Sequence, residues 1–162
     1  MILIALGANL PSQDGPPAAT LYAALEKLPN KGIAIRAVAP FYLSRAWPNP
    51  HDPPFVNSVA WVETAHEPGQ LLGIVKEIEV AFGRTAGPRN APRPLDLDIL
   101  DYDGRIEEGP PALPHPRLHD RGFVLVPLRD IAPEWRHPVL GRGVSELIDG
   151  LPPEARALTR LS

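Results

Sequence analysis

Apolar residues along this chain switch between a spacing of two and a spacing of about 3.6 in the order strand, helix, strand, strand, helix, strand, and few folds accommodate that order. The opening run 2–7 (ILIALG) is short, apolar and closed by glycine, as a buried strand is. Leu21, Leu25 and Leu28 follow Pro16-Pro17 at helical spacing until Pro29 and Gly32 end the segment. From Ile33 to Trp47, Ile33, Ile35, Ala37, Ala39, Phe41 and Leu43 alternate with other residues. The stretch Phe55–Glu63 does the same with Phe55, Asn57, Val59 and Trp61 on one face, so the two read as an antiparallel pair of strands. Pro68 then opens a second helix, with Leu71, Val75, Ile78 and Phe82 on one side, and Leu95–Tyr102 (LDLDILDY) returns to strand spacing. The order β-α-β-β-α-β predicts an α+β fold, a ferredoxin-like sandwich with an antiparallel sheet and two helices on one face. A C-terminal extension follows: a proline-rich loop at 109–117, a helix over Arg121–Ile131 and another over Val144–Leu151. With 162 residues and neither linker nor repeat, residues 1–162 read as a single domain.

Charge and cysteine content narrow the chemistry. A net charge of -3 gives no bulk attraction to nucleic acid or to a membrane surface, so any basic site is local. No apolar run reaches the roughly 18 residues that cross a bilayer, and the N-terminal run lacks the positive flank of a secretory signal, so a cytoplasmic protein is expected. The absence of cysteine leaves Asp, Glu and His as side-chain metal ligands, which favours hard, oxygen-loving ions.

Asp96 and Asp98 stand two apart on a strand and so point to one face, in an element where Asp is disfavoured. Paired carboxylates with an oxygen-only ligand set suit Mg²⁺. Arg84, Arg89 and Arg93 lie just upstream in a loop with no acid among them, and the guanidinium fork fits phosphate oxygens. Metal and arginine together hold and activate a polyphosphate, so a nucleoside triphosphate is the natural ligand, held without a Walker loop. His115, between Pro114 and Pro116, sits in an extended loop where it could donate to a phosphate or decorate a turn. His51, His66, His119 and His137 read as surface residues. Asn57, an amide among apolar neighbours, must find a partner, either backbone or a heteroaromatic ligand.

With these residues in place, the chain resembles the 6-hydroxymethyl-7,8-dihydropterin pyrophosphokinase family of folate biosynthesis. ALGANL (5–10), FY-x-S (41–44), FVNSV (55–59), LL-x6-E (71–79), APRPLDLDIL (91–100), PHPR (114–117) and RGFVLVPLRDIAP (121–133) carry the likeness. It implies a ferredoxin-like fold, ATP as co-substrate, two Mg²⁺ ions, and transfer of pyrophosphate to the pterin hydroxymethyl group with release of AMP. Position by position, it implies metal binding by Asp96 and Asp98 and a pterin site of Ser44, Trp47, Phe55, Asn57 and Phe123. It further implies ATP contacts from Glu79, Arg84, Arg93, Ile99, His115 and Arg121, with Arg84 and Arg93 catalytic beside the two aspartates. Departures from the family pattern are Asn90, where many members have Trp, Arg45, Lys76 and Pro116, and a segment 84–93 that is one residue shorter. Small-molecule substrates, no nucleic acid, no membrane and a monomeric state are the expected partners. Residues 84–94 and 48–54 are expected to order on substrate binding. Among rivals, a ferredoxin-like RNA module would need aromatics amid basic residues on the sheet, and this chain has only four Phe, three Tyr and three Trp. A nucleotidyltransferase would share the aspartate pair and differ in its product.

Overall fold

Ile2, Ile4 and Leu6 leave the first strand on one side and Leu3 and Ala5 on the other, so this strand needs cover on both faces. The computed structural model, which describes residues 1–44, 51, 53–83 and 94–161, shows that cover. Strand β1 (Ile2–Ala8) lies between β4 (Phe55–Thr64) and β5 (Asp96–Tyr102), antiparallel to both. The sheet runs β5-β1-β4-β3-β6, with β3 at Tyr42–Ser44 and β6 at Thr159–Arg160, while β2 (Ile33–Val38) pairs with the rest of β4. Strand β5 is therefore an edge.

Helices α1 (Pro17–Lys27) and α2 (Pro68–Ala81) pack on one face, where Leu21, Leu25, Leu71, Val75 and Ile78 meet Ile2, Ile4, Leu6, Val56, Ala60, Val62, Leu97 and Ile99. Both begin with proline in the first turn, and the Glu67 N–H donates to Gln70 Oε1 at 3.1 Å to close the start of α2. This is the expected ferredoxin-like half. The opposite face is covered as well, by α3 (Gly122–Ile131) and α4 (Val144–Asp149), whose Val124, Leu125, Leu128, Val144, Leu147 and Ile148 pack on Leu3, Tyr42, Val59 and Leu100. At about 1.5–3 kcal/mol per fully buried leucine, this second layer is part of the stability of the sheet.

Three features differ from the sequence reading. The strand expected over Ile33–Trp47 is two strands, because Pro40 has no N–H for the ladder. Val38 faces Ala60 and Tyr42 faces Asn57, so one extra residue is accommodated at the break, which is tied to β4 by Ala39 N–H to Val59 O at 2.9 Å and Ser58 Oγ to Ala39 O at 2.8 Å. Strand β6 has no apolar alternation to announce it. His137, read as a surface residue, is 5% exposed, and its Nδ1 accepts the Val139 and Leu140 N–H groups, each at 3.1 Å.

Burial, with His119 nearby, lowers the His137 pKa from its usual 6.5, against the pull of Asp101. The folded state thus disfavours the imidazolium, whereas the unfolded chain takes up that proton below about 6.5. Stability carried by His137 is present above that value and declines as pH falls. Urea unfolding at pH 7.5 and 5.5 should show wild type losing stability over this window with a steeper slope than His137→Phe; equal slopes would remove His137 as the cause.

Candidate active site

Registry across three strands brings together residues far apart in the chain. Gly7 faces Asp96 on one side and Asn57 on the other, Ala5 likewise faces Asp98 and Val59, and Tyr42 continues the first row beyond Asn57. Residues directly opposite in an antiparallel ladder share a face. Asp96, Gly7, Asn57 and Tyr42 therefore form one row on the α3 side, with Asp98 in the next row. Ser44 pairs with Phe55 two positions along and lies on the same face. The sequence placed Asp96 with Asp98 and Phe55 with Asn57; the sheet puts both pairs on one surface.

Gly7 is what joins them. A Cβ there would sit 2.6 Å from Asn57 Nδ2, so the bare backbone lets the Asn57 amide lie directly over Gly7, between Asn57's own strand and the one that carries Asp96. Sequence reasoning assigned Gly7 no role, and only its register in the sheet reveals one. Asn57 Oδ1 is buried and accepts no hydrogen bond from the described residues. Its neighbour Tyr42 donates its hydroxyl to Asp130 Oδ2 at 2.5 Å, which ties β3 to α3. A buried acceptor left this way is costly by about 1–3 kcal/mol and points to a ligand that supplies the donor.

The carboxylates face a cationic rim. Asp98 Oδ2 lies 3.9 Å from His115 Nε2. The Arg117 N–H donates to His115 Nδ1 at 3.1 Å, which places the ring proton on Nε2, toward Asp98. The His115 N–H in turn donates to Leu100 O at 2.8 Å, fixing the loop to β5. Arg121, just before α3, has its pKa lowered by burial, and Asp98 and Asp96 pull it back up while Arg117 opposes them. Its guanidinium lies 5.4 Å from the centre of the Phe123 ring, which packs against the core on the α3 side of the sheet. Gly122 allows this arrangement, because a Cβ there would be 1.7 Å from Ala155 O; the start of α3 is seated directly on backbone. Asn9 Nδ2 donates to Pro53 O at 3.2 Å, tying the end of β1 to the segment that enters β4, another role the sequence did not reveal.

Two further residues expected to contact ATP have their side chains on the other side of the sheet from the carboxylates. Ile99 is 3% exposed, with its side chain in the core formed with α1 and α2, and Glu79 on α2 accepts the Leu97 N–H at 2.7 Å from that same side. Neither shares the carboxylate face. Trp47, Arg84 and Arg93 lie outside the described residues, as do most positions of the two segments expected to order on binding. Asp101, which sequence reasoning did not single out, is 3% exposed and satisfied by Trp135 Nε1–H at 2.8 Å and Gly104 N–H at 3.0 Å, so its role is structural.

Among the described residues no group of three or more His, Asp or Glu converges as a closed metal cage. Two carboxylates on an open face are the arrangement that suits an ion whose remaining ligands come from water and substrate phosphates.

Residues 3–133 match a family model described as 7,8-dihydro-6-hydroxymethylpterin-pyrophosphokinase (HPPK). A Pseudomonas aeruginosa protein named 2-amino-4-hydroxy-6-hydroxymethyldihydropteridine pyrophosphokinase is 38% identical over 155 residues, covering 93% of this chain and 91% of that protein. A Synechocystis protein of the same name is 35% identical over 149 residues, covering 91% of this chain and 74% of its own length. In fold, the chain is similar to the solved Plasmodium falciparum HPPK-DHPS, with TM-score 0.70, 15% identity and coverage of 91% of this chain and 40% of that one.

Proposed function

Because the chain belongs to the 7,8-dihydro-6-hydroxymethylpterin-pyrophosphokinase family, we propose that the sheet face carrying Asp96, Asp98 and Asn57 is where it performs that family's reaction. The chain is an ATP-dependent diphosphotransferase that acts on hydroxymethyldihydropterin in folate synthesis. The pterin hydroxyl oxygen attacks the β-phosphorus of ATP and gives up its proton to solvent, the bond from that phosphorus to the α,β-bridging oxygen breaks, and AMP leaves with the bridging oxygen.

The observation that carries the site assignment is the buried Asn57 Oδ1, without a donor among the described residues, on the sheet face that also carries Asp96, with Gly7 between the two positions. Asn57 pairs with the donor and acceptor edge of the pterin, with Phe55 and Phe123 against its ring and Ser44 at its border. From Asn57 the hydroxymethyl arm runs along the same sheet face toward the carboxylates. Asp96 and Asp98 would hold Mg²⁺, two ions in the full complex, and that metal would supply charge neutralisation for the triphosphate. The His115 Nε2–H donates to a phosphate oxygen, and Arg121 holds the developing negative charge in a site drier than water. Arg84 and Arg93 complete the phosphate contacts, and Trp47 the pterin side. A cytoplasmic monomer that handles small molecules and no nucleic acid accompanies this reading; no described helix is long and apolar enough to cross a membrane.

Product analysis tests it. Incubation with ATP and the hydroxymethyl pterin should give AMP in step with pterin diphosphate, whereas free pyrophosphate with a nucleotidylated pterin would mean nucleotidyl transfer. Gly7→Ala probes this arrangement. The new methyl group must push the Asn57 amide aside, so pterin binding should weaken by about 1–3 kcal/mol, with ATP binding unchanged in separate calorimetric titrations. Unaltered pterin affinity would place the substrate away from β1.

A further inference from the structure

Residues 152–161 follow α4 and pass over the start of α3 to the outer edge of the sheet. Ala155, Leu158 and Leu161 are half-buried and the others exposed, so the segment adds little apolar burial of its own. What it adds is a span between two elements that carry the pterin side of the site. At one end, a turn of 3-10 helix over Pro153–Arg156 sets Ala155 O against Gly122, where a Cβ would lie only 1.7 Å away, so the backbone between Arg121 and Phe123 rests on the segment. At the other end β6 pairs with β3. The Leu161 N–H donates to Phe41 O at 2.8 Å, and Thr159 stands opposite Leu43, the next bonded pair of an antiparallel ladder. Strand β3 needs that neighbour, because it has three residues and is cut off from β2 at Pro40, so that its place in the sheet depends on β4 on one side and β6 on the other. The far end of α3 is tied to the same strand by the Tyr42 hydroxyl on Asp130. Helix α3 and β3 are therefore joined at both ends of the helix, and the segment is the join nearer the substrates.

We propose that residues 153–161 are a strap that positions the pterin site, holding Phe123 at the start of α3 and Ser44 at the end of β3 in one fixed arrangement before the substrate arrives. This rests on the assignment of Ser44, Asn57 and Phe123 to the pterin. The strap supplies no group to the substrate, and its contribution is preorganisation: walls already in place need no ordering when the pterin binds.

The test uses the full chain, separate calorimetric titrations of the hydroxymethyl pterin and of ATP with Mg²⁺, and amide hydrogen exchange by NMR. Thr159 is exposed, so Thr159→Pro chiefly removes the N–H of the rung opposite Leu43. In that variant the Leu161 amide should exchange faster, and the pterin should bind about 10-fold more weakly, as expected when a positioning contact is loosened. ATP affinity should stay as in wild type, since Asp96, Asp98, His115 and Arg121 are not on β3. Thr159→Ala keeps the N–H and should bind both ligands as wild type does. Gly122→Ala acts at the other end of the strap, where it displaces Arg121 together with Phe123, and should weaken both ligands. A general loosening of the fold would instead lower the two affinities in parallel from either end. Wild-type pterin affinity in Thr159→Pro would overturn the proposal, and so would equal losses of pterin and ATP binding in that variant. The Thr159 pair decides the matter even if Gly122→Ala does not fold. Phe123→Ala is the control for the underlying assignment: undiminished pterin binding by that variant would remove the pterin-site reading itself, whatever the Thr159 variants do.

Discussion

Asp96→Ala and Asp98→Ala should each lose most turnover while keeping the fold. The carboxylates face one side of β5 beside Gly7 and Ala5, and each removal takes a charge that holds the ion against the triphosphate. Lewis-acid stabilisation of a transferring phosphoryl group is on the order of several kcal/mol, so about a hundredfold or more should be lost from kcat/KM. Stability should move the other way. Asp is disfavoured in strands, and two like charges on adjacent positions of one face repel, so without Mg²⁺ the Asp96→Ala protein should unfold at or above the wild-type temperature. Steady-state assays at saturating Mg²⁺ and thermal melts in chelator check the pair of expectations. Near-wild-type turnover of Asp96→Ala would end the metal assignment, and a large drop in melting temperature would make the aspartates structural.

Asn57→Ala should weaken pterin binding by about 1–3 kcal/mol, or roughly 5–150-fold, because the substrate's donors then meet a methyl group in a buried slot. ATP binding should be nearly unaffected, since Asn57 lies across Gly7 from the carboxylate row. Separate calorimetric titrations of pterin and of ATP with Mg²⁺ read the difference. Equal loss for both ligands would make Asn57 a structural residue. Its orphaned Oδ1 adds a further expectation: with that acceptor gone, the unliganded variant should be no less stable than wild type.

The sequence carried the fold where burial is one-sided and periodic. Ile2, Ile4 and Leu6, the Leu21 series and the Leu71 series each commit to one face, and each element lies where its spacing put it. It carried less where tertiary contact overrides local pattern. Val124, Leu125 and Leu128 promised a helix without saying that it would roof the second face of the sheet. Pro40 lies inside a convincing alternation and breaks it, because the missing N–H costs a rung that side-chain pattern does not register. His137 is buried by a turn in which two backbone amides need an acceptor, and nothing in its immediate neighbours signals that. In the site, carboxylate and amide chemistry made Asp96, Asp98 and Asn57 legible, since charged and amide groups amid apolar strand residues demand a reason. Gly7 and Glu79 were not legible in the same way. Gly7 matters for the room it gives the Asn57 amide, and the Glu79 bond to the Leu97 N–H appears only once α2 lies beside β5.

The Asp96–Gly7–Asn57 row also ties the site to the order in which the chain can fold. These residues sit on β5, β1 and β4, and β1 is the strand that both others must find across long stretches of sequence. A partly folded chain with β1 paired only to β4 has the amide and no carboxylates; one with β5 alone docked has the reverse. Substrates and metal thus have no intermediate to grip and bind only the completed sheet. Their binding raises the free energy of global unfolding, by about 2.7 kcal/mol for a ligand present at a hundred times its Kd. Because the two halves of the site meet only across β1, occupancy and structural integrity are linked equilibria.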